Sequence, residues 1–178
     1  MNILINNIME TLNNENQMDL SLESEEREIK ILTKDNITIN VKENEVKDCT
    51  FFKSIFLTND VEENHFIDLE GESLQLCLDF LKHQSSLKQK MKQIKKPVSK
   101  PKFEETIMED DTVLDDWYSR FINSLSPNQI TKLIYTSNYL MIDDLIQLLS
   151  AKLATVIMPY DKEEDIVKCL EQYRISNN

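Results

Sequence analysis

The residues able to do chemistry in this chain are few, and their spacing organises none of them into a reaction centre. Gly71 is the only glycine. Phosphate-cradling loops and dinucleotide turns need glycine where backbone closely approaches a ligand, so these functions are excluded. His65 and His83 are the only histidines, which leaves no His-rich metal site. Cys49, Cys77 and Cys169 are odd in number, widely separated and without CxxC spacing. They read as reduced, mostly buried thiols of an intracellular protein. Carboxylates abound but sit in solvated runs, with nothing to mark one pair as an acid/base couple. No enzyme, cofactor or metal is expected.

The charge narrows the partners further. With 178 residues and a formal charge of −12, the chain is one ordinary domain with tails. An anionic protein is a poor ligand for nucleic acid or an anionic membrane, since phosphate binding needs positive surface. No apolar run is long enough to cross a bilayer, and no charged n-region precedes an apolar core at the N-terminus. The expected partner is another protein.

The elements follow from periodicity. Residues 1–28 carry seven acids against Arg27 and predict a disordered tail. Met1, Ile5, Ile8, Met9 and Leu12 would nonetheless line one face of a short helix, given a surface to fold on. Ile29 and Ile31, then Ile37, Ile39 and Val41, alternate around Lys34-Asp35-Asn36 and predict a β-hairpin. Asn44 or Asp48 is positioned to cap a short helix carrying Phe51, Phe52, Ile55 and Phe56, all read as core. An acidic loop from Asn59 to Asn64 leads to a third strand over His65–Leu69. Gly71-Glu72-Ser73 opens a helix with Leu74, Cys77, Leu78, Phe80 and Leu81 inward. Residues 85–111 read as a solvated charged linker. Eight lysines and no acid lie between Lys82 and Lys102, and seven acids and no base between Phe103 and Asp116. The two halves would attract one another at low salt.

Helical pattern returns at Thr112, with Leu114, Trp117, Tyr118, Phe121, Ile122 and Leu125 on one face and Trp117 at a packing junction. Ser126 and Pro127 then mark a helix start. Ile130, Leu133, Ile134, Ser137 and Met141 form its stripe. After the joint Met141-Ile142-Asp143-Asp144, a second helix puts Leu145, Leu149, Leu153, Val156 and Ile157 on one face. Ile146, Leu148 and Ala154 spread the apolar surface beyond that face, which predicts packing on two sides. Pro159 stops this helix. Asp161 and Glu164 suggest a capping box for a last one, whose apolar side is Ile166, Val167, Leu170 and Tyr173. The fold class is α+β, a small three-stranded sheet with a helical second half.

The segment IKILTKDNITINVKENEVKDCTFFKSIF resembles the opening of the Skp-type adaptors of SCF (cullin–RING) ubiquitin ligases, a branch of the BTB/POZ fold. FIDLEGESLQLCLDFLKHQ is similar to their third strand and following helix. DDWYSRFI and LIYTSNYLMIDDLIQLLSAKLATVI are similar to later segments, with Ser137–Ile142 the most specific part. The resemblance implies a BTB/POZ-like fold in two halves, residues 29–84 and 112–158, with a C-terminal helical extension over 159–178. It implies a non-catalytic adaptor of cytoplasm or nucleus that links a cullin to an F-box protein in the ubiquitin pathway. By resemblance, Asn138 and Tyr139 face the cullin. Leu145, Leu149, Leu153, Val156, Ile157, Ile166 and Leu170 are divided between the core and an F-box groove. Some features depart from the family. Asp144 stands where glycine is usual, and the first half of the linker is basic. These departures, with the Asn-rich tail, point to a second reading: a Skp-like structural subunit of a large stable assembly, unrelated to ubiquitin.

Overall fold

The computed structural model describes residues 27–58, 64–108 and 115–174. The chain forms a mixed α+β unit. Strands β1 (Glu28–Thr33) and β2 (Thr38–Lys42) make the hairpin, followed by a 3-10 turn at Glu43–Glu45 and helix α1 (Thr50–Leu57). Strand β3 (Asn64–Ile67) precedes α2 (Gly71–Ser86), α3 (Phe103–Ile107), α4 (Trp117–Ser124), α5 (Pro127–Tyr139), α6 (Asp143–Ile157) and α7 (Glu163–Glu171). The sheet order is β2-β1-β3, with β1 antiparallel to β2 and parallel to β3. Pairing Ile29 with Val41 and Ile31 with Ile39 puts all four side chains on the buried face.

The hairpin turn does more than reverse the chain. Asn36 takes a left-handed φ of 61°, which asparagine tolerates. The Asp35 carboxylate accepts the backbone N–H of Gly71 at 3.0 and 3.2 Å, so it caps α2 from another element. A bond from the Thr33 hydroxyl, aided by this amide, holds the Asp35 carboxyl below its usual range against the opposing effect of burial. Glycine at position 71 leaves room for Ile37, whose Cδ1 would lie 2.8 Å from a Cβ there, so a larger residue would make the exposed Ile37 side chain shift.

Two expected caps are replaced. Neither Asn44 nor Asp48 caps α1. The residue before it is Cys49, and no side chain supplies a cap. Asp48 instead pairs with Lys90 Nζ at 2.9 Å. Asp161 does not cap α7, which starts after Lys162, also without a side-chain cap. Ser126 does cap α5, reciprocally with Gln129.

The largest correction concerns residues 85–111. Helix α2 runs on through Ser86. Met91, Ile94, Phe103 and Ile107 are then buried in the common core, and α3 packs against α4 and α6. Ile94 N–H donates to Gln147 Oε1 at 3.3 Å, which ties the strap to α6. The segment is therefore anchored rather than solvated. Four apolar side chains at wide intervals in a lysine- and acid-rich sequence are enough to seat it. Lysines from both ends pair outward, Lys82 with Glu45 at 2.6 Å and Lys102 with Glu105 at 3.3 Å. The acidic residues 109–111, with Thr112 and Leu114, lie outside the described residues, as do the tail 1–26 and most of the 59–64 loop.

Trp117 sits at a junction as its size suggests. Its ring stacks on His83 of α2 at 4.0 Å and on Phe121 at 4.7 Å. All three cysteines are buried and free.

Candidate partner-binding surfaces

The end of α5 builds the first surface. Ser137 turns inward and its hydroxyl donates to Leu133 O at 2.6 Å. The helix then closes through backbone bonds, Met141 N–H to Asn138 O at 3.2 Å and Ile142 N–H to Ser137 O at 2.8 Å. The closing residue adopts φ 56°, a position that glycine usually fills. Here it is Met141, and a left-handed non-glycine residue costs roughly 1–2 kcal/mol. Its side chain is 60% exposed. The expected stripe ending at Met141 is thus corrected: Leu140 and Ile142 point in, and Met141 points out. The Cys49 thiol donates to Leu140 O at 3.3 Å and pins the turn to the start of α1.

Asn138 and Tyr139 both face solvent, Tyr139 being 42% exposed. The Tyr139 ring leans on Phe51 at 5.6 Å. Phe51 is only half-buried, although the sequence pattern assigns it to the core. Phe51 and Phe52 are neighbours on one short helix and cannot share a face, and that adjacency was the available signal. Phe52 takes the core and Phe51 is left for the surface.

Beside this patch lies a cavity of about 260 Å³, lined by Asp48, Thr50, Gln84, Lys90, Met141, Asp143 and Asp144 among others. Asp144 is half-buried and accepts a short bond from the Gln84 amide. Burial pushes its carboxyl above the usual range; the Gln84 bond and Lys90 oppose this, and the carboxylates of Asp143 and Asp48 add to it. A carboxyl raised in the folded state gains protons on folding, so stability falls as pH rises from its unfolded to its folded value. Asp144→Asn removes that cost. The variant is expected to unfold about 1–3 °C higher than the parent at pH 7, with the difference vanishing below about pH 3.5. Thermal melts across pH check this, and a lower midpoint for the variant at pH 7 contradicts it.

The second surface is on α6 and α7. Leu145 and Leu149 are fully buried with Leu148, Ala151 and Thr155, so the structure assigns these two candidate partner residues to the core. Leu153, Val156 and Ile157 are half-buried on α6, and Leu153 packs against the core. On α7 the inward residues are Cys169, with Ile166 and the following Tyr173 half-buried. Val167 and Leu170, expected on the inner side, are turned out and are 51% and 38% exposed. The register is rotated so that Cys169 is the buried residue of α7. The Thr131 hydroxyl donates to Tyr173 O at 2.6 Å and fastens the end of α7 to α5. Leu153, Val156, Ile157, Ile166 and Leu170 remain as candidates here, joined by Val167 and Tyr160.

No family model matches the chain, and no curated protein matches it. Among the described residues no group of three His, Cys, Asp or Glu side chains is arranged to hold a metal ion. None of the described helices is long and apolar enough to cross a membrane. Burial pushes the Cys49 and Cys77 thiols up, so neither is ready to form a thiolate at neutral pH. What the two surfaces share is apolar and aromatic area on packed helices that the core leaves partly in water.

Proposed function

We propose that this chain is a non-catalytic adaptor of Skp type with a BTB/POZ-like fold, joining an F-box protein to a cullin. The observation that carries the reading is the apolar row that the core leaves uncovered on α6 and α7, from the half-buried Val156 and Ile157 to the exposed Val167 and Leu170. This area is left over after the core has taken Leu145, Leu148 and Leu149. Apart from α3, which lies in the expected linker, the element order is that read from the sequence, and this supports the finer fold reading. The separate Asn138–Tyr139 surface supports a second binding end.

The adaptor works by sharing side chains. An F-box helix that is marginal alone would fold against the α6–α7 row, where burying one leucine is worth about 1.5–3 kcal/mol. A handful of such residues sustains a largely apolar, obligate interface. The other end, carrying Asn138 and Tyr139, would meet the cullin. No bond is made or broken by the adaptor.

Affinity purification of the tagged chain from its own cells tests the reading. Recovery of a cullin with an F-box protein is expected, with the cullin alone lost from Asn138→Lys/Tyr139→Lys while the variant keeps its fold by circular dichroism. Stoichiometric recovery in a fixed complex without any cullin would instead make it a structural subunit of a stable assembly.

A further inference from the structure

Met141 carries a backbone penalty that glycine would avoid, yet it is 60% exposed. Strain kept at an exposed position is explained when the side chain has a use outside the fold. Around it, Tyr139 rests on Phe51, and Thr50 and Met141 line the same cavity. The start of α1 and the end of α5 therefore present apolar and aromatic side chains beside one another, the Phe51–Tyr139 pair next in sequence to the cavity-lining Thr50 and close to Met141. The adjoining cavity carries the carboxylates of Asp48, Asp143 and Asp144 against a single cation, Lys90. Lys90 reaches in from the strap, binds Asp48 at 2.9 Å and is itself 69% exposed in its side chain. An exposed lysine–carboxylate pair of this kind is weak and easily exchanged.

From these observations we infer that the Phe51–Tyr139–Met141 patch and its acid-lined cavity receive a partner presenting an apolar side chain beside a basic one, with Lys90 as the internal placeholder for the basic group. Charge complementarity selects that partner: the cavity keeps surplus negative charge even with Lys90 in place. Binding exchanges one exposed ion pair for another, and Met141 packs against the apolar neighbour. This rests on the adaptor reading, in which the same end of the molecule meets the cullin, and it adds Met141, Phe51 and the acids to Asn138 and Tyr139.

The test uses the full chain and a purified cullin N-terminal domain, with affinities measured at two salt concentrations. Met141→Gly relieves the left-handed strain, so its melting midpoint is expected to equal or exceed that of the parent. Its Kd is expected to rise about tenfold or more, the size of one good interface contact. Lys90→Ala removes the competitor and is expected to tighten binding about two- to fivefold at low salt, with the gain shrinking at high salt. Parent-like affinity in Met141→Gly, or no tightening in Lys90→Ala, overturns the inference. If Asn138→Lys abolishes binding while Met141→Gly does not, the adaptor reading survives and only this inference falls. If the parent chain itself fails to bind, both fall together.

Discussion

Phe103→Ala is expected to destabilise the protein by about 3–5 kcal/mol and Ile107→Ala by about 2–5 kcal/mol, the range for emptying a well-packed apolar site. Both residues are buried, Phe103 in the first turn of α3 and Ile107 in its last. Helix α3 has only five residues, far too short to persist without its contacts. Removing either anchor therefore releases more than one side chain. The Thr106 hydroxyl, which donates to Lys100 O and Lys102 O, loses its place with the helix. So does Lys152, whose ammonium lies over the Phe103 ring at 5.4 Å. Lys100→Ala on the same strap is the control, expected to stay within about 0.5 kcal/mol as an exposed substitution does. Urea unfolding of the three variants decides the matter. A solvated linker would give three parent-like curves, whereas an anchored strap separates the first two from the third.

That strap also marks where sequence reasoning stopped being sufficient. The strands were readable because alternation and pairing carry the same message, so Ile29, Ile31, Ile39 and Val41 fall where the pattern puts them. The start of α5 was readable because Ser126 and Pro127 are local signals. Met91, Ile94, Phe103 and Ile107 offer no period, and their burial depends on α4 and α6 arriving from later in the chain. The caps failed for the same reason. Asp48 has a cap's chemistry and position, but a lysine 42 positions away in sequence competes for its carboxylate. Conversely, Asp35 reads as a turn residue and turns out to serve a helix that begins at Gly71. For the candidate site, the joint Met141–Asp144 was legible in outline. The direction of Met141 was not, because it follows from a left-handed φ rather than from helical spacing. Leu145 and Leu149 were indistinguishable from Leu153 by periodicity, and only the elements packed against each one separate them.

That separation has a consequence large enough to measure. Leu149→Ala is expected to lose about 2–5 kcal/mol, since Leu149 is fully enclosed and its truncation leaves a cavity. Leu170→Asp is expected to cost about 1–2 kcal/mol, less than Leu149→Ala, because the side chain is 38% exposed and a carboxylate in the last turn of a helix opposes its dipole. The two variants should exchange ranks in partner recovery. Leu170→Asp places a charge where the F-box helix would bury apolar surface, and desolvating an unpaired carboxylate there is prohibitive. It should recover almost no F-box protein while remaining folded and still binding a cullin. Leu149→Ala should recover F-box protein in proportion to its folded fraction, because its side chain never faces the partner. Quantifying bound partner per folded molecule, with the folded fraction taken from the same urea curves, tells core from interface on a single helix pair. Parent-like F-box recovery by Leu170→Asp would mean that the outward row of α7 covers nothing, and the shared-helix mechanism would lose its footing.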